Sequence, residues 1–459
     1  MEMNAEYVLN TGTVNYLGVD HQTYAEFRGI KYAASGRWER PHLLNPTQVM
    51  DRYDSSAATY DAAHWGKKCW QYDWTPEDFY GKEFYDEGRY DVEKSEDCLY
   101  LNIFMPKEIR LDQNPKGFPV AIWVHGGGFI NGWNSEKEFD GKGFAERGVI
   151  LVTINYRLGI FGFFAQSKLR ERDPHACNPG LQDILTAIAW VKTHIEEFGG
   201  DSDRITLFGQ SAGSMGIMAL ASSPLMKGLV QNFIFQSGSV IDRNVKIPSY
   251  NAHEQLADRW MKENGISIEQ LLTVDAGKLF EIGDQYMHFL YQNNTGYRPL
   301  IDGYILPEEP LTALNEGRFV DANYLIGCMK DDIINAGDPL RLYNANLQLG
   351  QKLSEQGNAV YEYIFRHELP GDNSGAFHAG DLWYVFGTVK RSWRPMTDVD
   401  VQLSNIVMDY WTSFMKNGVP DTDGDWRRFS DERQYVQGID LGQGLQKYDI
   451  GMGNPSSVS

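Results

Sequence analysis

The sequence predicts an α/β fold in which helices flank a mostly parallel central sheet. The 459-residue chain is 42% hydrophobic, which is ample for a packed core. From Phe118 onward, short β-rich runs alternate with helical stretches, and this alternation is typical of a parallel sheet. The runs are apolar nearly throughout, as expected of strands buried on both faces. They cover residues 119–124, 149–155, 204–208, 233–236, 324–327 and 361–366.

The helical patterns complete the predicted domain. Between the second and third runs, apolar residues repeat at helical spacing from Leu181 to Ile195, and Gly199-Gly200 ends the pattern. A charged helical stretch over 253–292 interrupts the rhythm of strands, and we expect a helical cap insertion at about 245–325. We expect one domain over residues 1–459, with a frayed tail at 451–459.

The charge balance restricts the classes of partner. With 42 Lys+Arg against 62 Asp+Glu, the formal net charge is −20. Nucleic-acid binding needs a positive face, and anionic membranes repel an acidic surface, so we expect neither partner. No apolar run approaches the roughly 18–20 residues that span a bilayer. The first residues show no signal-peptide pattern, which favours a cytoplasmic location unless a leader was removed. We expect a small-molecule substrate, and the sequence indicates no oligomeric state.

A nucleophilic serine is predicted at Ser211. The residues Gly209-Gln210-Ser211-Ala212-Gly213 follow a predicted strand and precede a helix of small residues, which is the context that G-x-S-x-G requires. A sharp turn there projects the Ser211 hydroxyl above the sheet, and the two glycines let strand and helix approach closely. The N–H group of Ala212 then points toward a developing negative charge.

A glycine-rich loop follows the first predicted strand of the sheet. In His125-Gly126-Gly127-Gly128-Phe129, three glycines leave the backbone free to present two N–H donors at one point. Glycine-rich turns after strands also cradle phosphates. However, no Lys-Ser/Thr follows these glycines and no G-x-G-x-x-G occurs, so the sequence disfavours a phosphate site.

A serine nucleophile needs a base, usually a histidine held by a carboxylate, and in this fold class the chain order is Ser, Asp or Glu, then His. Asp331 and Asp332 follow the strand predicted at 324–327, at the end where α/β active sites collect. Downstream of them only His367 and His378 remain. Position in a glycine-containing loop favours His378, whereas the residues alone do not choose between the two aspartates.

The four cysteines form no CxxC motif, so a zinc ribbon or a thioredoxin-type site is not expected. We expect neither a metal nor a cofactor. An aromatic lining is expected near the serine, with Phe129, Trp133 and Tyr156 as candidates.

Taken together, these features resemble the type B carboxylesterase family, the cholinesterase-like branch of the α/β-hydrolases, in its bacterial form. The match runs from about Phe27 to Phe429, and its most specific segment is Ser95-Glu96-Asp97-Cys98-Leu99-Tyr100-Leu101-Asn102. Other matching segments lie at 27–33, 155–159, 198–201, 236–239, 302–303 and 410–411. The resemblance implies a serine carboxylesterase that hydrolyses carboxylic esters through an acyl-enzyme intermediate. Alternatives are a specialised hydroxycinnamoyl (feruloyl) esterase and a non-catalytic cholinesterase-like binding module.

The resemblance also resolves the choice of acid and base. It implies the catalytic acid at Asp332, where Asp stands in place of the commoner Glu, and the base at His378. It carries the oxyanion donors over to Gly127, Gly128 and Ala212.

Three further roles are implied by the resemblance alone. The family's first disulfide falls on Cys69 and Cys98, which a cytoplasmic location would keep reduced. Glu96 and Arg157 resemble members of structural ion pairs. At Gly216 the family often has a serine that supports the acid and the histidine, so the glycine implies a weaker support.

Overall fold

The computed structural model describes residues 6–107, 116–241, 247–332, 338, 340–421, 424–430, 434–441 and 447–449. The strands β1 to β16 are, in chain order, Glu6–Asn10, Asn15–Asp20, Tyr24–Lys31, Ala33–Ala34, His42–Leu43, Tyr53–Asp54, Thr59–Asp61, Tyr100–Pro106, Phe118–Val124, Ile150–Ile154, Gly200–Gln210, Asn232–Gln236, Asn323–Met329, Ala359–Phe365, Tyr435–Ile439 and Lys447–Asp449. The helices α1 to α13 are Phe79–Phe84, Lys142–Glu146, Gly159–Phe163, Ser167–Arg172, Pro179–His194, Ala212–Ala221, Tyr250–Asn264, Ile268–Thr273, Ala276–Gln292, Pro310–Asn315, Arg341–Glu355, Leu382–Val385 and Asp398–Asn417.

Within these ranges, 14 strands join in one sheet whose central strands are parallel. The order is β16-β15-β14-β13-β12-β11-β9-β10-β8-β3-β2-β7-β6, and β1 pairs with β2. The strands from β10 to β15 are paired in parallel, whereas β8, β3 and β16 join antiparallel at the flanks. The predicted α/β class with a mostly parallel central sheet is thereby confirmed.

The six predicted apolar runs correspond to the consecutive strands β9 to β14. The periodic pattern that begins at Leu181 lies in α5, and Gly199 closes the following turn with a φ of 77°. The charged stretch at 253–292 forms α7, α8 and α9. The tail predicted at 451–459 lies outside the described residues.

Each face of the sheet is covered by its own hydrophobic core. Alternate residues of β9 belong to different cores, with Val120 and Ile122 on one side and Ala121 and Trp123 on the other. Helices α5 and α6 contribute to the first core, and α12 and α13 contribute to the second. Burial on both faces explains why these strands read as continuous apolar runs.

The parallel strands end at one common edge, and the segments that follow them carry the candidate residues. Loops at this edge hold polar side chains away from the core while the strands beneath fix their spacing. The segments follow β9, β11, β13 and β14 and contain, respectively, His125–Gly128, Ser211, Asp332 and His378.

The two ion-pair residues implied by the resemblance do form ion pairs. The guanidinium of Arg157 donates to both carboxylate oxygens of Asp183 at 2.8 Å, and both side chains are buried. Arg37 donates to Glu96 in the same bidentate manner. Cys69 and Cys98 are buried free thiols. Among the helices of the described ranges, none has the length and hydropathy that crossing a bilayer requires.

Candidate active site

Ser211 lies at a strained turn between β11 and α6. Its φ of 54° and ψ of −123° are unusual for a residue other than glycine, and such a conformation costs about 1–3 kcal/mol. Two backbone hydrogen bonds hold the turn: Ser211 N–H donates to Gln236 O at 2.9 Å, and Met215 N–H donates to Ser211 O at 2.9 Å. The surrounding strands therefore fix the direction in which the Ser211 hydroxyl points.

The glycines on either side of Ser211 permit the close approach that the sequence predicts. A Cβ atom at Gly213 would lie 2.1 Å from Val124 O, and one at Gly209 would lie 2.8 Å from the same atom. Any larger residue would push α6 away from β9, so both positions require glycine.

The glycine-rich loop lies directly against the turn. A Cβ atom at Gly126 would lie 3.2 Å from Ser211 Cβ. Gly127 and Gly128 have φ values of 97° and 64°, which favour glycine. Within the described part of the chain, the N–H groups of Gly127, Gly128 and Ala212 make no hydrogen bond. The turn and the loop against it thus carry three N–H groups without a hydrogen bond in this part of the chain.

Phe129, Trp133 and Tyr156, the candidates for an aromatic lining, are almost fully buried. Their exposed fractions are 3%, 5% and 1%. The Tyr156 ring stacks on His125, and its hydroxyl donates to His125 O at 2.9 Å. The Phe129 ring packs against Phe163, and the Trp133 indole N–H donates to Tyr90 O at 3.1 Å, so the protein's own residues contact all three rings.

His378 lies between Asp332 and the residue that precedes the serine. Its Nδ1 is 2.5 Å from Asp332 Oδ1, and Asp332 Oδ2 accepts the N–H of Met329 at 3.1 Å. The amide nitrogen of Gln210 is 3.2 Å from His378 Nε2. With Nδ1–H donating to the carboxylate, Nε2 is the unprotonated nitrogen and is directed toward the turn.

The structure separates the two aspartates and the two histidines that the residues alone left open. Asp331 Oδ2 accepts the N–H of Ala376 at 2.8 Å, so this carboxylate holds the loop that carries His378 and does not contact the imidazole. His367 Nε2 is 3.1 Å from Asp400 and its Nδ1 is 3.2 Å from Asp440. Both nitrogens of His367 are occupied far from Ser211, as suits a structural histidine.

Sequence reasoning missed the support that surrounds the imidazole. Gln210 is the first variable residue of G-x-S-x-G. Its place next to Ser211 was therefore the one signal in the sequence that could have indicated its contact with His378. Gln236 N–H₂ donates to Asp381 Oδ2 at 2.9 Å, and Asp381 is buried three residues after His378, at the start of α12.

The resemblance implied that residue 216 is placed to support the acid and the histidine, and this expectation is wrong. A Cβ atom there would meet only carbon atoms, of Phe129, Ile184 and Leu181, at 3.6–3.7 Å. A serine side chain at this position would enter the apolar core under α6 and would not reach the acid or the imidazole.

Two carboxylates near His378 raise the pKa of its imidazole. Burial lowers the pKa of His378, but the carboxylates of Asp332 and Asp381 outweigh it and place that pKa above its ordinary value. Burial also raises the pKa of Asp381 to about 6, and the nearby charge of Asp332 adds to the effect. Besides these two carboxylates, the titratable group that faces His378 in the described residues is the Tyr80 hydroxyl, 3.5 Å from His378 O.

Replacing Asp381 by Asn is expected to remove a pH-dependent destabilisation. The Asp381 carboxyl has a pKa of about 6 in the folded chain and 3.8 in the unfolded chain. Below about pH 4 it is protonated in both states, and its contribution to the stability of the folded chain is greatest there. That contribution, about 3 kcal/mol, is lost as the pH rises through about 6. Urea unfolding of Asp381→Asn should therefore give a free energy that falls less between about pH 4 and pH 8 than the wild-type value. Identical pH dependence in both proteins would contradict the buried charge.

The parallel sheet, the strained serine turn after β11 and the carboxylate–imidazole pair at the same edge define an α/β-hydrolase. A sequence model of the carboxylesterase family matches residues 8–339 and 339–450. The para-nitrobenzyl esterase of Bacillus subtilis is 31% identical over 460 residues, covering 89% of each chain. The fumonisin B1 esterase of Sphingopyxis macrogoltabida is 30% identical, covering 77% of this chain and 74% of its own.

Solved structures agree with the sequence comparisons. A thermophilic PNB esterase superposes with a TM-score of 0.81 at 28% identity, covering 98% of both chains. The Geobacillus stearothermophilus carboxylesterase gives a TM-score of 0.77 at 25% identity, covering 98% of this chain and 99% of its own. The chain belongs to the carboxylesterase family, in its cholinesterase-like type B branch, and is a carboxylic ester hydrolase.

Proposed function

We propose that the chain hydrolyses carboxylic esters through an acyl-enzyme intermediate formed on Ser211. His378 is the general base and acid, and Asp332 orients it. The N–H groups of Gly127, Gly128 and Ala212 bind the oxyanion. The observation that carries this proposal is the 2.5 Å contact between Asp332 Oδ1 and His378 Nδ1, with Nε2 directed toward the serine turn.

The first half of the reaction forms the acyl-enzyme. His378 Nε2 takes the hydroxyl proton while Ser211 Oγ attacks the ester carbonyl carbon, and the carbonyl oxygen becomes an oxyanion. The backbone donors favour this state because they point at charge that exists only in the transition state, and each is worth about 2.7–4 kcal/mol. The imidazolium then gives its proton to the departing alcohol.

The second half releases the acid. Water gives a proton to His378 Nε2 and attacks the acyl carbonyl, and the returning proton frees the Ser211 hydroxyl. Asp332 keeps Nδ1 protonated throughout, so that Nε2 is the nitrogen that exchanges protons.

The substrate class follows from the chemistry and from one relative. A neutral ester of a small acid and an apolar or aromatic alcohol suits an acidic protein, because its charge repels anionic substrates. The Bacillus subtilis relative is named for para-nitrobenzyl esters, and we extend that alcohol class to this chain. The comparisons do not support the hydroxycinnamoyl esterase or the non-catalytic module.

Stoichiometric labelling by paraoxon tests the proposed function. Ser211 Oγ forms a bond to phosphorus, the bond from phosphorus to the aryl oxygen breaks, and His378 takes the hydroxyl proton. We expect one p-nitrophenolate released per chain and the diethylphosphoryl mass on the peptide that contains Ser211.

The matched control for the labelling is Ser214→Ala. Ser214 lies one turn beyond the nucleophile, and its buried hydroxyl donates to Gly238 O at 3.2 Å. This variant should take the label like the wild type. No release of p-nitrophenolate by the wild type, or a label on another residue, would exclude the proposed mechanism.

A further inference from the structure

Arg394 is a buried cation at the centre of the segment that follows α12. Its side chain is 0% exposed. Its Nε donates to both carboxylate oxygens of Glu83 at 3.0 Å. One terminal nitrogen, Nη1, donates to Pro370 O at 3.0 Å and to Asp372 Oδ1 at 2.8 Å. A single guanidinium therefore connects α1 with the loop that leaves β14.

The Glu83 carboxylate, on α1, accepts hydrogen bonds from three side chains. Its side chain is 1% exposed. In addition to Arg394, it accepts the indole N–H of Trp383 at 2.9 Å and that of Trp393 at 2.8 Å. The carboxylate is thus fully hydrogen-bonded, which is the condition under which a buried ion pair is stable.

The residue before His378 is held by the same two elements. The Arg394 guanidinium lies 4.8 Å from the centroid of the Phe377 ring. On α1, the Phe79 ring packs edge-on against Phe377 at 5.0 Å, and Tyr80 donates to His378 O at 3.5 Å. Phe79 and Tyr80 precede Glu83 on α1 by four and three residues, about one helical turn.

The loop between β14 and His378 is held by residues outside it. Gly371 and Gly375 in this loop have φ values of 106° and 67°, which residues other than glycine rarely adopt. Arg394 binds this loop at Pro370 and Asp372, before His378, and at the Phe377 ring. Asp331, which follows β13 and precedes Asp332, holds the same loop through Ala376, so the loop is fixed from the Arg394 side and from the Asp331 side.

We propose that Arg394, fixed by Glu83, is a positioning residue that sets His378 against Asp332 and Ser211. The proposal rests on the proposed function, in which His378 is the base. Arg394 touches no reacting atom and acts only through Phe377 and the loop. The buried pair thereby couples the surface segment between Cys69 and Cys98, which contains α1, to the catalytic histidine.

Arg394→Met tests this role, because Met keeps the length and apolar stem of the side chain and removes the guanidinium. A displaced base costs rate without weakening substrate binding, and a misplacement of about 1 Å can cost about 100-fold. We expect kcat for p-nitrophenyl butyrate to fall about 10- to 100-fold while KM stays within about threefold.

The pH profile separates positioning from a general loss of structure. Asp332, Asp381 and the Tyr80 hydroxyl face His378, and the two carboxylates favour its protonated form. When the imidazole moves away from Asp332, the acidic limb of kcat/KM should shift to lower pH. Rates are divided by the concentration of sites titrated with paraoxon, so unfolded protein does not contribute.

Arg157→Met is the matched control. Arg157 also forms a buried pair with a carboxylate, Asp183, but among the described residues its hydrogen bonds reach no part of the His378 loop. We expect it to lower thermal stability and to leave the acidic limb in place.

A milder variant keeps the test decisive if Arg394→Met does not fold. The side chain of Asp372 is 35% exposed, so Asp372→Asn should fold while weakening the same contact. It should shift kcat and the acidic limb in the same direction by a smaller amount. Wild-type kcat per titrated site and an unshifted limb in the folded variants would overturn the proposal. A wild type that takes no paraoxon would instead overturn the proposed function.

Discussion

Ser211→Ala is expected to lose about 10⁴- to 10⁶-fold of kcat in the hydrolysis of p-nitrophenyl butyrate. The variant keeps the oxyanion donors and the imidazole but has no oxygen to form the acyl-enzyme. Its barrier therefore rises by about 5–8 kcal/mol, and only the residual effect of the donors remains. Steady-state rates with purified protein check this, and a variant with wild-type turnover would show that Ser211 is not the nucleophile.

The strained turn supplies an internal control for that variant. Ala at position 211 keeps the φ of 54° that the surrounding backbone imposes, whereas Gly adopts it without strain. We expect Ser211→Gly to be as inactive as Ser211→Ala but more stable, by an amount within the roughly 1–3 kcal/mol that such strain costs. Equal loss of activity with unequal stability would separate the chemistry of the hydroxyl from the folding of the turn.

Asp332→Asn is expected to lower kcat by about 10⁴-fold. The Asn amide can donate to His378 Nδ1, which then must be the unprotonated nitrogen. Nε2 carries the proton in that tautomer and cannot accept one from Ser211. The pH-independent kcat of the variant, measured on the alkaline plateau, is the quantity to compare with the wild type.

Asp331→Asn is the matched control, one residue away. The amide oxygen of Asn can still accept the Ala376 N–H that Asp331 accepts at 2.8 Å. Only the charge of that hydrogen bond is lost, about 1 kcal/mol, so kcat should fall less than about tenfold. If the Asp331 variant were the inactive one and the Asp332 variant active, the assignment of the acid would be wrong.

The fold was predictable because burial determines which residue types occupy a strand. Strands covered on both faces must be apolar throughout, and β9 to β14 are the six runs that show it. The turn at Ser211 was predictable for a similar reason. A Cβ atom at position 209 or 213 would clash with the backbone of β9, so only glycine fits there. The two glycines therefore indicate the close packing of strand and helix.

The side-chain contacts of the site were less accessible. Asp331 and Asp332 are adjacent and carry the same side chain, and they differ in that only the Asp332 carboxylate contacts the imidazole, whereas Asp331 accepts the N–H of Ala376. The aromatic candidates Phe129, Trp133 and Tyr156 are almost fully buried, and the sequence could not tell whether such rings support the loop or line a pocket.

The sequence by itself determined the positions of the central strands along the chain, the serine turn, the glycine-rich loop and the family, since each depends on residues that are neighbours in the chain. The family resemblance implied Asp332 as the acid, but only the tertiary structure showed the contact between Asp332 and His378 and the contacts by which Arg394 joins Glu83 to the His378 loop. Those contacts join residues 46 and 311 positions apart. Contacts between residues so far apart in the sequence are set by how the strands and helices pack, so no local pattern of residues predicts them.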